Sequence, residues 1–310
     1  MNLIDLCADL STKLLPTDIS TVELPLELLG AFRRKSISFY NGQTDEKTIV
    51  YWFQSKSFTI DLRLKDIELT PVLQRQGWLG QTLWNKQQQV LSWQVDSNSN
   101  YQNHIQWPEP ATLHCIGNCI LEFSPSNAYV EDWRQQANQG LYLGLRLEKA
   151  IHLESNTPVQ LDAGLIICGD LVAYAQSRLP QNQQAIQPFG NLIEAHQAGI
   201  HLEQINQFEV SVGSLSSSVQ FSTQNYRLQQ PFSLEDFEYI GENQLKQVKE
   251  IEGETYTLYF KVDIYLPHYQ LSAKSLQVWQ SLIAHQLIAN AVHSYHRKID
   301  RLFHARHRHT

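Results

Sequence analysis

A tryptophan, an amide and an opposite-charge pair fall at alternating positions in residues 48–64, T-I-V-Y-W-F-Q-S-K-S-F-T-I-D-L-R-L. β-Branched and aromatic residues dominate this stretch and Ser55-Lys56-Ser57 interrupts it, so it reads as two strands of a hairpin. Successive side chains of a strand point to opposite faces. Phe58, Ile60, Leu62 and Leu64 therefore share one face, while Asp61 and Arg63 share the other; on the neighbouring strand Trp52 and Gln54 lie together. The mixture returns at Tyr129, Glu131 and Trp133, and again at Tyr174, Gln176 and Arg178. A barrel that binds a small molecule surrounds an apolar body with a few convergent polar groups, and these strands supply both. The candidate lining is Trp52, Gln54, Asp61, Arg63, Tyr129, Glu131, Trp133, Tyr174 and Arg178. Alternation does not say which face is inside. With the aliphatic faces inward, the same pattern makes a filled core and an amphipathic outer surface.

Arg63, Arg146 and Arg178 are candidate anchors for a ligand carboxylate or phosphate, because guanidinium is always charged and donates in a fork. The competing arrangement is an internal ion pair, with Asp61 or Glu131 meeting Arg63 or Arg178. Nucleophilic chemistry has little support. Cys7, Cys115, Cys119 and Cys168 have no CxxC spacing and read as small buried hydrophobes. There is no GxSxG, no glycine-rich phosphate loop and no HExxH. An isomerase or hydrolase using Glu131 as base is the one enzymatic reading, and it requires an open pocket around that carboxylate. No cofactor is expected. Near the C-terminus His293, His296, Asp300, His304 and His307 return to one helical face and form a weak metal candidate. The competing reading is a solvated face opposite the apolar stripe, alternating with Arg297, Arg301 and Arg308, so no metal is expected.

The elements that must position these residues are mainly β. Short strands recur at 36–40, 112–123, 128–134, 141–148, 164–169, 171–178, 208–213 and 218–223, separated by Ser-, Asn-, Gly- and Pro-rich breaks; a further strand covers 87–95. This regular spacing favours an antiparallel barrel or sandwich over a parallel α/β sheet. Helical spacing of Leu73, Trp78, Leu79, Leu83 and Trp84 predicts a short helix capping one end, though Gly77 and Gly80 weaken it. A helix is also predicted over 191–204. After Pro231 a hairpin over 244–265 precedes a long helix over 272–304. The expected organisation is a partly helical segment at 1–30, a barrel region of one or two lobes at 31–232, and a hairpin-and-helix extension at 233–310.

The 310 residues are 42% hydrophobic and 18% charged, enough apolar material for a core and unlike a disordered chain. A net charge of −7 offers no general positive field, so nucleic acid is not an expected partner. No apolar run approaches about 18 residues, so no membrane span is expected. Asp5 and Asp9 stand where a secretory signal would be basic and then apolar, so a cytoplasmic protein is expected.

Four blocks also carry a family resemblance: V-Y-W-F-Q...F-T-I-D-L-R-L at 50–64, Y-V-E-D-W-R at 129–134, A-G-L-I-I-C-G-D-L-V-A-Y...S-R at 163–178, and V-S-V-G...V-Q-F-S-T-Q-N-Y-R at 210–227. In this order they resemble a group of uncharacterised bacterial proteins that are themselves similar to the fungal lipocalin-like, casein-kinase-interacting family. The resemblance covers roughly 36–227 and implies a calycin-like β-barrel. It implies no catalytic activity and has no counterpart for the region after Pro231. Non-enzymatic binding of a small, partly apolar or amphipathic ligand is therefore the leading expectation. The alternative is a protein-interaction scaffold whose filled barrel carries a C-terminal helix for docking a partner or a second copy.

Overall fold

The computed structural model describes residues 1–10, 14–65, 70–103 and 110–271. The long helix expected over 272–304 lies outside them. The chain is mainly β and forms two antiparallel sheets, one of them a closed barrel.

The barrel is built from β1 (Gly30–Phe39), β3 (Ile49–Gln54), β4 (Phe58–Leu64), β5 (Gln76–Asn85), β6 (Val90–Gln94), β7 (Ala111–Ile116), β8 (Cys119–Phe123) and β9 (Tyr129–Gln135), with the two-residue β2 (Thr44–Asp45) edging β1. Strands pair with their sequence neighbours, and β9 returns to β1 from Phe32↔Gln135 to Phe39↔Tyr129. That pairing closes an eight-stranded barrel. A register shift between Arg34 and Ser36 adds a residue to β1, as a β-bulge does to re-aim side chains. Arg34 lies opposite Trp133, and Ile37 opposite Glu131.

β5 lies where a helix was predicted. Its residues alternate in the barrel wall: Trp78 pairs with Asp61 and Leu79 with Ile60. The glycines belong to that packing, because a Cβ at Gly77 would sit 2.8 Å from Val210 Cγ2 on the second sheet. The stretch 112–123, predicted as one strand, is the hairpin β7–β8, turning at Gly117 with φ +63°.

The second sheet comprises β10 (Gln139–His152), β11 (Thr157–Val159), β12 (Ala163–Cys168), β13 (Leu171–Gln176), β14 (Glu209–Ser214), β15 (Val219–Ser222), β16 (Phe237–Gly241), β17 (Gln244–Ile251) and β18 (Glu254–Gln270). Its order is β15-β14-β13-β12-β10-β18-β17-β16, with β11 on β10. The hairpin after Pro231 is thus β17–β18, and it is integral to this sheet through a long pairing of β18 with β10. Helix α1 (Leu3–Leu10) buries Leu3 and Leu6 in this sheet's core. Three short helices, α2 (Pro180–Ile186), α3 (Leu192–Gln197) and α4 (Leu202–Ile205), connect β13 to β14. The helix predicted over 191–204 is α3 and α4, separated by Gly199 at φ +101°. Among the described residues, no helix is long and apolar enough to cross a membrane.

The aliphatic face of the β3–β4 hairpin is the outer face of the barrel. Phe53, Phe58, Ile60 and Leu62 are buried there in one cluster with Ile166, Ala173, Val210 and Val212 of the second sheet. Burying such side chains stabilises by about 1.5–3 kcal/mol each, so the joint between the sheets is a hydrophobic core in its own right. The hairpin tip is fixed by hydrogen bonds. Ser55 Oγ, Ser57 N and Ser57 Oγ all donate to the Asp263 carboxylate on β18, at 2.5, 2.9 and 2.6 Å. Gly144 makes room for this tip, since a Cβ there would collide with Ser55 Oγ.

Candidate functional site

With its aliphatic side turned to the second sheet, the hairpin turns Trp52, Gln54, Asp61 and Arg63 into the barrel. The interior is layered. At one end Gln54 is fully buried: its Nε2 donates to Ser55 O and Thr82 Oγ1 at 2.7 Å each, and its Oε1 accepts from Thr59 Oγ1 at 2.6 Å and Trp52 Nε1 at 3.2 Å. Above it is an aromatic layer. Trp52 stacks on Phe32 at 4.8 Å and meets Trp133 and Trp93 edge to face at 5.6 and 6.0 Å; Trp93 in turn meets Trp78 at 6.2 Å. These are favourable offset and edge-to-face distances for rings.

Charged side chains share the interior with these rings, and together they line a cavity of about 170 Å³ whose lining also includes Tyr129 and the half-exposed Phe39. Arg34 Nη1 donates to Glu131 Oε1 at 2.6 Å, with both side chains buried. Arg63 Nε donates to Asp61 Oδ1 at 2.8 Å. Burial opposes the Arg63 charge, but Asp61 and then Glu131 override it and hold its pKa above the ordinary guanidinium value. The third carboxyl, Glu122, is 4% exposed. Its one hydrogen bond among the described residues comes from Trp133 Nε1 at 2.9 Å. Burial first, then the neighbouring Glu131 carboxylate, push its pKa well above the usual carboxyl range, against a smaller opposing pull from Arg63. Trp93 Nε1 is out of solvent and has no acceptor among the described residues.

Six of the nine residues singled out from sequence thus line one cavity: Trp52, Asp61, Arg63, Tyr129, Glu131 and Trp133. Gln54 closes the layer below. Tyr174 and Arg178 lie elsewhere. Tyr174, on β13, faces the second core, where its hydroxyl bonds Gln176 Oε1 and Lys249 Nζ at 2.7 Å each. Burial lowers the Lys249 pKa to about 8. Arg178 is 1% exposed and borders a separate polar cleft of about 640 Å³ between the sheets. It donates to Ile205 O, Gln183 Oε1 and Tyr101 O at 2.9, 3.3 and 2.6 Å, and its guanidinium lies 5.3 Å from the Tyr101 ring and 5.5 Å from the Phe208 ring. No carboxylate pairs with it among the described residues, and burial lowers its pKa to about 10. It is a rivet joining Tyr101 to the helices after β13. Arg146 pairs with Asp162 in the same cleft. The internal ion pair, one of two readings for these arginines, is therefore realised at Arg63 and Arg146.

Arg34, Trp78, Trp93 and Glu122 also line the cavity, and strand alternation points to them only once their strands are placed. Reading G-W-L-G-Q-T-L-W as alternating would have placed Trp78 inward beside Thr82. Reading 112–123 as a hairpin would have set Glu122 opposite Glu131, where the register puts it. Cys7 and Cys168 are buried and Cys115 is half-buried; burial pushes all three thiols up to about 12, so none is a ready thiolate. Among the described residues no group of His, Cys, Asp and Glu is placed to hold a metal. The set His293, His296, Asp300, His304 and His307 lies outside them. Comparison of the chain with protein-family models, curated proteins and solved structures gives no match. Function is read from the cavity's own chemistry.

Proposed function

We propose that this protein binds one small, partly apolar molecule in the closed barrel, without catalysing a reaction. The observation that carries this reading is a void of about 170 Å³ walled by four indole rings, with the buried Trp93 N–H turned to no acceptor. A buried donor left unmatched costs about 1–3 kcal/mol, a cost that a ligand oxygen or nitrogen removes. An apolar cavity of about 150 Å³ takes up benzene, so the expected occupant has one ring or an equally compact body. Eight-stranded up-and-down barrels such as lipocalins enclose single ligands in this manner. Glu131, the candidate base, is engaged by Arg34, which favours binding over catalysis. The void likewise favours a ligand over a filled barrel that serves only as a platform.

Native mass spectrometry of protein purified from its own host tests the reading. One adduct of small-molecule mass is expected, and Trp133→Ala should lose it while remaining folded by circular dichroism. Absence of any adduct, together with no binding from a library of single-ring compounds, would remove the proposal.

A further inference from the structure

We propose that the ligand of the barrel is a small organic cation, an ammonium group on a compact apolar body, with Glu122 as its counter-charge. This rests on the binding reading above and names its substrate class. The cavity wall holds three carboxyls, Asp61, Glu122 and Glu131, against two guanidiniums, Arg34 and Arg63. The guanidiniums are already matched within the wall, Arg34 to Glu131 at 2.6 Å and Arg63 to Asp61 at 2.8 Å. Arg34 also reaches Asp45 at the edge of the barrel at 3.4 Å. One carboxyl is therefore in excess, and it is Glu122, buried, lining the void, and with the Trp133 indole as its single hydrogen-bond donor among the described residues.

The surrounding rings suit the same ligand. Indole is the best aromatic partner for a cation, and the attraction grows when both are shielded from water. Trp52, Trp78, Trp93 and Trp133 all line the void. An anion would meet the faces of these rings and the Asp61, Glu122 and Glu131 carboxyls, and each guanidinium in the wall is already neutralised by a carboxylate. The Trp93 N–H requires only an acceptor elsewhere on the same molecule.

A proton is tied to this choice. The groups facing Glu122 are Glu131 from β9, Asp61 and Arg63 from β4, and the Trp133 indole; with no ligand present, burial and Glu131 favour its protonated form. A bound cation favours the carboxylate. Binding should then expel up to one proton from Glu122 to solvent.

Three probes of equal size separate the possibilities: benzylamine as the cation, benzyl alcohol as the neutral form and benzoate as the anion, each titrated by calorimetry and tryptophan fluorescence. Benzylamine should bind at least about tenfold tighter than benzyl alcohol, as a shielded cation–ring and ion-pair contact requires, and benzoate should bind weakest. Glu122→Gln should bring benzylamine to within about twofold of benzyl alcohol while benzyl alcohol binding is retained. Should that variant not fold, the wild type supplies a second test: tetramethylammonium carries no exchangeable proton, so calorimetry in two buffers of different ionisation enthalpy reports protons released by the protein. Release on binding is expected. Benzoate or benzyl alcohol binding as tightly as benzylamine would overturn the cation proposal and leave the cavity reading standing. Failure of all the probes to bind would overturn the cavity reading itself.

Discussion

The two sheets draw on the same alternating strands, yet their interiors differ. The inner face of the second sheet is filled: Leu145, Leu165, Leu258 and Phe260 are buried in one cluster, and α1 adds Leu3 and Leu6 to it. It also holds a local polar cluster on one side, where Lys249 donates to Tyr174 and Gln176 and Arg227 pairs with Glu209. The barrel reverses this arrangement. Its aliphatic side faces out against the second sheet, and its inside keeps rings, amides and charges around a void. A barrel standing alone in water could not place Phe53, Ile60 and Leu62 on its outer surface without exposing a large apolar patch. The second sheet covers that patch and so leaves the barrel's interior free for chemistry other than core packing.

The largest expected effect follows from the filled side. Leu258→Ala in the second core should destabilise the protein by about 2–5 kcal/mol in urea denaturation, the cost of a cavity in a packed interior. The same truncation should leave ligand affinity of the remaining folded protein unchanged, since Leu258 does not touch the barrel void. A loss of affinity as large as the loss of stability would show that the two interiors are not separable.

Asp263→Ala comes next. It leaves the Ser55 and Ser57 donors at the hairpin tip without their acceptor, at an expected cost of about 1–3 kcal/mol. Ser55→Ala together with Asp263→Ala should cost less than the sum of the two single changes, as a double-mutant cycle reads.

How much of this arrangement was legible varied from strand to strand. Hairpin β3–β4 was plain, because alternation of Trp52 and Gln54, and of Asp61 and Arg63, is a local property. Which face lay inside was not, since it depends on a sheet that begins only at Gln139, far along the chain from Leu64. β5 carries a misleading local pattern, because Leu73, Trp78, Leu79, Leu83 and Trp84 happen to be spaced as on a helix, and Gly77 is explained only by Val210 approaching it from the second sheet. Closure through β1 and β9 joins residues about a hundred positions apart and leaves no local trace. For the site, six lining residues were found by face, while Tyr174 and Arg178 share the pattern but serve the other sheet. Arg34 and Glu122 leave no such local sign, because a bulge in β1 and the turn between β7 and β8 set their direction.

Smaller effects sharpen the contrast from the barrel side. The raised pKa of Glu122 means that the folded protein holds its proton more tightly than the unfolded chain does. The contribution of Glu122 to stability is therefore full below the ordinary carboxyl range and is lost as pH rises from there toward the folded-state value. Glu122→Gln removes that decline, so the variant should match wild type near pH 4 and be the more stable of the two at neutral pH, by urea melts across the range. A wild type that gains stability relative to the variant with rising pH would mean that Glu122 is ionised and paired. The smallest change is Trp93→Phe. It keeps a ring and deletes the orphan N–H, so stability should be unchanged or improved by about 1 kcal/mol, with ligand affinity reduced.

The central claim is that the barrel encloses a working void while the second sheet encloses a packed core. Indole N–H resonances of the ¹⁵N-labelled protein, followed through a benzylamine titration, test it most directly. The resonances of Trp52, Trp78, Trp93 and Trp133 should move together and saturate, while methyl groups of Leu165 and Leu258 stay in place. Indole resonances that do not respond, or second-core methyls that shift as far as the indoles do, would contradict it.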